Sequence, residues 1–320
     1  MNDNYKKMTG APIRASTEQG AKAFLREFLR QKSLILMSIP GLILVFIFNY
    51  IPIYGIIIAF QEYNPVKGFF GSEWVGLKYF RMFFSNHYTF RLLTNTLLLG
   101  VYSLLWSFPA PIILALMMDL LRSQRYKKVV QTISYFPHFI STVVVAGLIR
   151  ELCGVNGVFN MIRNHFGLDS VAFLTSPEWY RTMFIGSGVW QGVGWGSIIF
   201  LSALSNVDPQ LHEAAVIDGA NRWQRVKHIM LPSIAPTITV LLIFSISGIL
   251  GSDFQKGLLL YNEATYSVSD VIGTYTYREG IQGGMYEYTA AIGLLMSVVS
   301  CVLIVVTNWV SRRVSENSLW

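Results

Sequence analysis

Charged residues are missing from six long stretches of this chain and crowd into the segments between them. The uncharged stretches are Ser33–Gln61, Leu92–Met118, Val129–Ile149, Thr182–Val207, Ile229–Ser252 and Tyr288–Ser311. Each reaches the roughly 20 residues a helix needs to cross a bilayer core. The pattern predicts an all-α polytopic membrane protein: six transmembrane helices in one domain over 33–320, preceded by a basic extension over 1–32. Within the extension, Phe24, Leu25, Phe28 and Leu29 recur at helical spacing among basic residues. That predicts an amphipathic helix on the cytoplasmic membrane surface. The first apolar run is far longer than the usual signal-peptide core of about 7–15 residues, and no small-residue cleavage site stands out. It is expected to be an uncleaved span, bent at Pro40-Gly41 and Pro52.

The polar stretch Asp208–Pro232 separates the fourth and fifth runs. Asp208 can cap a helix and Pro209 fits its first turn. Helix formers follow at Glu213, Ala214 and Ala215, and Gly219 supplies a break at which a left-handed conformation is free of strain. Asn221 is expected to start a second short helix carrying Arg222, Arg225 and Lys227, ended by Leu231-Pro232. Small residues on one side would let another backbone approach closely. This is the pattern of a docking surface on a rigid helix.

Composition sharpens the membrane assignment. The 320 residues are 52% hydrophobic and 13% charged, against about 25% charged in soluble domains. The net charge of +7 reflects basic residues bordering apolar runs, which points to topology and not to nucleic acid. With the N-terminus inside, sixteen of the 25 Lys and Arg fall on the inner segments and nine on the outer ones. The bias predicts both termini, and Asp208–Pro232 with them, in the cytoplasm. The two cysteines, Cys153 and Cys301, lie in different apolar segments without ligand spacing, so neither a disulfide nor a zinc site is expected.

No catalytic constellation is visible. The chain lacks a phosphate loop ending in Gly-Lys-Ser/Thr, an HExxH and a GxSxG. No catalytic, metal or cofactor-binding residue is therefore assigned. The five histidines are scattered, and His138, following Pro137, fits a helix-interface hydrogen bond. The runs hold no carboxylate or lysine, which argues against coupling to an ion gradient. Energy for transport would have to enter through the polar stretch. Gly188, Gly192 and Gly196 fall on one helical face of the fourth run. They fit close helix packing, or, with Trp190, Gln191 and Trp195, the lining of a path for a hydroxyl-rich solute. Asp253-Phe254-Gln255 after the fifth run is a further candidate for that path.

The stretch Glu213-Ala214-Ala215-Val216-Ile217-Asp218-Gly219-Ala220, followed after eight residues by Ile229-Met230-Leu231-Pro232, resembles the EAA loop of ABC importer permeases. It matches at Glu213, Ala214, Ala215, Gly219, Ile229, Leu231 and Pro232, and carries the acidic Asp218 common in the carbohydrate group. Tyr261–Tyr266, Asp270–Gly280, Trp74–Leu77 and Tyr288–Leu294 resemble the subgroup importing complex sugars. The resemblance implies a six-span permease with a cytoplasmic coupling helix between helices 4 and 5, in a prokaryotic cell membrane. It further implies a second, homologous permease, two ATPase subunits that bind ATP and Mg in place of this chain, an extracytoplasmic solute-binding protein, and a sugar or oligosaccharide as solute. The rival readings are an intramembrane lipid or glycan transferase, a regulatory membrane subunit, and an ABC permease for a non-sugar solute.

Overall fold

Proline and glycine decide where the apolar runs become straight helices and where they break. The computed structural model describes residues 32–251 and 253–314; the surface helix expected around Phe24–Leu29 lies outside them. Among the described residues, six helical stretches are long and apolar enough to cross a membrane: Lys32–Phe60, Thr89–Asp119, Thr142–His165, Pro177–Ser205, Arg222–Ser247 and Tyr286–Arg313. The described chain divides into two units, with the boundary between Ile57 and Ile58, within the first run.

In the first unit, α1 (Lys32–Val45) carries Pro40 and runs into a wide turn at Phe46–Tyr50, where the Ile51 N–H donates to the carbonyl of Phe46. Pro52 follows at once. A proline has no N–H to donate and its ring crowds the carbonyl four residues earlier. The wider turn relieves that crowding.

The second unit begins with a short antiparallel pairing of β1 (Gln61–Glu62) with β2 (Glu73–Trp74). Next come α2 (Lys78–Ser85), α3 (Thr89–Ser107) and α4 (Pro109–Asp119), the last two meeting at Phe108. The third apolar run departs from expectation, because Val129–Ile149 is not one helix. It comprises the end of α5 (Gln124–Tyr135), a tight turn at Phe136–Phe139, and the start of α6 (Thr142–Cys153). Pro137 interrupts the hydrogen-bond ladder, and Ser141 caps a fresh helix by accepting the Val144 N–H at 3.4 Å. The apolar stretch of spanning length begins at Thr142 and continues into α7 (Val158–His165).

At the centre is α8 (Pro177–Ser205, 29 residues), which packs against α3, α4, α5, α6 and the fifth span. Two glycines permit the closest approaches. A Cβ on Gly194 would collide with the Ser134 carbonyl of α5, and one on Gly100 of α3 with the Ile249 carbonyl. Beyond α8 lie α9 (Pro209–Ile217), α10 (Arg222–Arg225), α11 (Leu231–Ser247), α12 (Phe254–Leu260), α13 (Ile272–Thr276) and α14 (Tyr286–Val314). Leu231-Pro232 does not end a helix, as the sequence suggested. The helix continues from Arg222 to Ser247 through a wide turn at Val226–Met230, in which the Leu231 N–H reaches back to Val226. The device is the one seen before Pro52.

Candidate functional site

Two regions hold the loop residues and part of the path candidates singled out by sequence: an exposed tip between α8 and α10, and a pair of cavities beside α8.

The tip is stabilised by its own backbone. Asp208 accepts the Gln210 N–H at 2.9 Å, and Pro209 occupies the first turn of α9. At the other end Ala220 N–H reaches Ala215 O at 2.8 Å and Gly219 N–H reaches Val216 O at 3.1 Å. This paired pattern closes a helix through a left-handed residue, and Gly219 has φ +78°. Asn221 and Gln224 then exchange reciprocal caps at 2.7 and 2.9 Å. No residue of α9 is buried. Glu213, Ala214, Asp218 and Gly219 are exposed and Ala215 is half-buried. Apolar Leu211, Val216 and Ile217 are exposed as well, Ile217 at 85%.

The root of the tip is the opposite. Val226, Met230 and Ile234 are buried against Ala115 and Leu116 of α4 and Phe200 and Leu204 of α8. Ile229 and Leu231 are half-buried in this root and Pro232 is exposed. A displacement of α9 would therefore be delivered to packed helices, since close-packed interiors transmit strain.

Two cavities meet beside α8. One, of about 460 Å³, lies among α3, α4, α8 and α11. The other, of about 470 Å³, lies at the α5–α6 break and is lined by Ile140, Ser141, Thr142 and Gln191. Both are lined by Gly188, Gly192, Asp253 and Lys256. The glycine face of α8 is thus divided between helix packing and cavity lining. Gly192 faces open space, Gly188 gives room to Lys256, and Gly196 packs on Pro111.

The path candidates separate. Gln191 donates to the Ile140 carbonyl at 2.9 Å, anchoring the break. Trp195 stacks on His138 with ring centres 4.4 Å apart, so His138 makes a ring contact here in place of the expected hydrogen bond. Trp190 lines a different, apolar cavity with Val145, Phe159 and Phe173. Asp253 lies at the junction. Phe254 points away, against Tyr277 and into a groove with Thr289. Gln255 is exposed and lines none of these cavities.

Sequence reasoning passed over Lys256, the residue that completes the junction. It is 3% exposed. Its Nζ lies 3.5 Å from Asp253 Oδ2 and 4.3 Å from the centre of the Phe184 ring. Burial pulls the ammonium below the usual lysine range, and Asp253 opposes that shift. The available signal was a lone cation between Gly248 and Leu260, followed by Gly257 and three leucines.

A second buried charge was also missed as a site. Asp270 is wholly buried and receives both terminal nitrogens of Arg278, at 2.6 and 3.2 Å. Tyr88 and Thr274 hydroxyls donate to the same carboxylate at 3.1 and 2.7 Å. Asn95 of α3 donates to the Asp270 carbonyl, and Thr96 Oγ1 accepts the Ile272 N–H. The cluster ties the loop before α13 to α3. Burial disfavours the Arg278 charge, but the hydrogen bonds and charge of Asp270 outweigh it and raise its pKa.

The family described as binding-protein-dependent transport system inner membrane component matches residues 107–316, which include the tip, α8 and Lys256. Protein LplB of Bacillus subtilis (strain 168) is 42% identical over 292 residues, covering 91% of this chain and 92% of that protein. The polygalacturonan/rhamnogalacturonan transport system permease protein YteP of the same organism is 40% identical, covering 93% and 94%. Among solved structures, a chain of a bacterial ABC transporter involved in import of the acidic polysaccharide alginate superposes with a TM-score of 0.84. It is 41% identical and covers 92% of this chain and 99% of that one. The same transporter has been seen in complex with an alginate pentasaccharide-bound periplasmic protein. With this match over most of its length, and a bundle built around an exposed tip on a buried root, the chain belongs to the family of inner membrane components of binding-protein-dependent transport systems.

Proposed function

We propose that this chain is the permease subunit of an ABC importer for a sugar or oligosaccharide, and that α9 is the helix through which a separate ATPase subunit drives it. The observation that carries the reading is the contrast within one short segment. α9 is fully capped and unburied, while Val226, Met230 and Ile234 behind it are locked into α4 and α8. A rigid exposed helix on a packed root suits the transfer of a push. The saccharide assignment draws on the polygalacturonan and alginate systems to which the chain is similar.

In this assembly a second, homologous permease completes the pore, and two ATPase subunits bind ATP and Mg. An extracytoplasmic binding protein delivers the saccharide. The exposed Leu211, Val216 and Ile217 give α9 apolar area to bury in a groove of the ATPase, with Glu213 and Asp218 at the rim. The excess of Lys and Arg on the inner segments supports a cytoplasmic location for both termini and α9.

The test is reconstitution with the partner subunits and binding protein in proteoliposomes, comparing Gly219→Pro and Glu213→Arg with the wild type. Proline holds φ near −65° and has no N–H. It therefore cannot keep the +78° turn or the bond to Val216. Both variants are expected to insert normally and to lose saccharide-stimulated ATP hydrolysis. Full coupled activity in both would remove α9 from the coupling role.

A further inference from the structure

We propose that the Lys256 ammonium, at the junction of the two cavities beside α8, binds a carboxylate of the transported saccharide, so that this permease is built for uronate-containing oligosaccharides. The inference rests on the sugar-permease reading above and adds the chemical class of the sugar.

Three features at the junction point to an anion, and a fourth to the hydroxyls around it. First, Lys256 is 3% exposed yet is held by a single carboxylate at 3.5 Å, whose own side chain is 43% exposed. An ammonium has three N–H donors. Burying it is costly unless its partners are good. Asp253 and the Phe184 ring leave donor capacity that lines both cavities. Second, space is reserved for it. A Cβ at Gly188 would lie 2.9 Å from Nζ, and a Cβ at Gly192, one turn on, would meet nothing within 4 Å. Third, the cavity is also lined by Ser141 and Thr142, which open α6, a helix of 12 residues. The start of a helix carries positive partial charge, and interrupted membrane helices present such ends to anionic solute groups. Fourth, Asp253 and the Ser141 and Thr142 hydroxyls supply partners for ring hydroxyls around the carboxylate. Cavities of this volume fall within the range that small ligands occupy.

A purely structural role for Lys256 would be to neutralise Asp253. The two roles separate in the reconstituted complex. Uptake of a trigalacturonate is compared with uptake of its carboxyl-reduced, neutral counterpart, using wild type, Lys256→Gln, and Lys256→Gln combined with Asp253→Asn. Loss of a hydrogen bond to a charged group corresponds to roughly tenfold to a hundredfold in affinity. The expected result is a fall of at least about tenfold in the acidic-to-neutral uptake ratio in Lys256→Gln, with no recovery in the double variant. Lys256→Arg, which keeps the charge, should retain most of the acidic preference. Recovery of the ratio in the double variant, or an unaltered ratio in Lys256→Gln, would overturn the proposal. Wild-type uptake of the neutral saccharide alone would overturn it while leaving the sugar-permease reading intact. Uptake of neither, with no ATPase stimulation by any saccharide tried, would overturn both.

Discussion

The tip at Asp208–Asn221 and the cluster around Asp270 are both polar segments beside apolar helices, and they are stabilised in opposite ways. The tip satisfies itself. Its caps at Asp208, Gly219 and Asn221 all bond to groups within a few residues, and every side chain of α9 remains accessible. The Asp270 cluster is assembled from remote parts of the chain: Tyr88, Asn95 and Thr96 on one side, Thr274 and Arg278 on the other. A local device survives displacement as a body, which a docking helix requires. A distributed device fixes one segment on another, and any change to it is felt globally.

The largest expected effect comes from the distributed side. Asp270→Ala removes the buried partner of a doubly hydrogen-bonded pair and takes this acceptor from Arg278 and Tyr88, while Thr274 keeps the Val271 carbonyl at 2.9 Å and Arg278 the Glu279 carboxylate at 3.7 Å. Breaking such a pair typically costs about 3–5 kcal/mol. The unfolding midpoint of the purified protein in detergent is expected to fall sharply. Combining Asp270→Ala with Arg278→Met should recover part of the loss, because the uncompensated charge is then gone. If Asp270→Ala were as mild as a tip mutation, the contrast between the two regions would collapse.

A smaller effect tests the packing around α8. Gly194→Ala drives a methyl group into the Ser134 carbonyl, an overpacking that costs about 1–3 kcal/mol. Gly192→Ala, two residues away, meets open space. It should leave the midpoint within about 0.5 kcal/mol equivalent, or raise it slightly through helix propensity. Equal effects at both positions would mean that the glycine face is not divided between contact and cavity.

These two glycines also mark how far the sequence could be read. Gly188, Gly192 and Gly196 are conspicuous because they recur every four residues, yet the tightest contact of α8 is at Gly194, outside that spacing. Nothing in the local sequence says which carbonyl of α5 will cross there. The apolar runs and the tip were legible because their causes are local: charge exclusion over a bilayer length, and capping chemistry within a few residues. Pro137 marked a break, but the run around it stays apolar, so nothing local said that the span would start afresh at Thr142. The continuation through Pro232 was hidden because a wide turn at Val226–Met230 absorbs the proline. Lys256 escaped for a further reason. It follows Phe254 and Gln255 in a segment that looks like an outer loop, and its burial is set by Gly188 and Phe184 of α8, far away in sequence. Conversely, Phe254 and Trp190 have the side chains expected of a sugar path but turn to other grooves, and aromatic character alone does not give direction.

The smallest effect belongs to the tip and is the sharpest check on its independence. Asn221 accepts the Gln224 N–H, and Gln224 returns a bond to the Asn221 N–H. Replacing an Asn cap by Ala costs about 1 kcal/mol, but only to the turn it caps. α9 and Arg222–Arg225 bury no residue of their own, whereas Val226 and Met230 hold the root through contacts the mutation leaves untouched. Asn221→Ala is therefore expected to speed amide exchange at Gln224 and Arg225 by roughly fivefold while the global unfolding midpoint stays in place. Movement of the midpoint by as much as Gly194→Ala produces would show that the tip is part of the same cooperative unit as the bundle, and α9 would then be an extension of the core and not a separable lever on it.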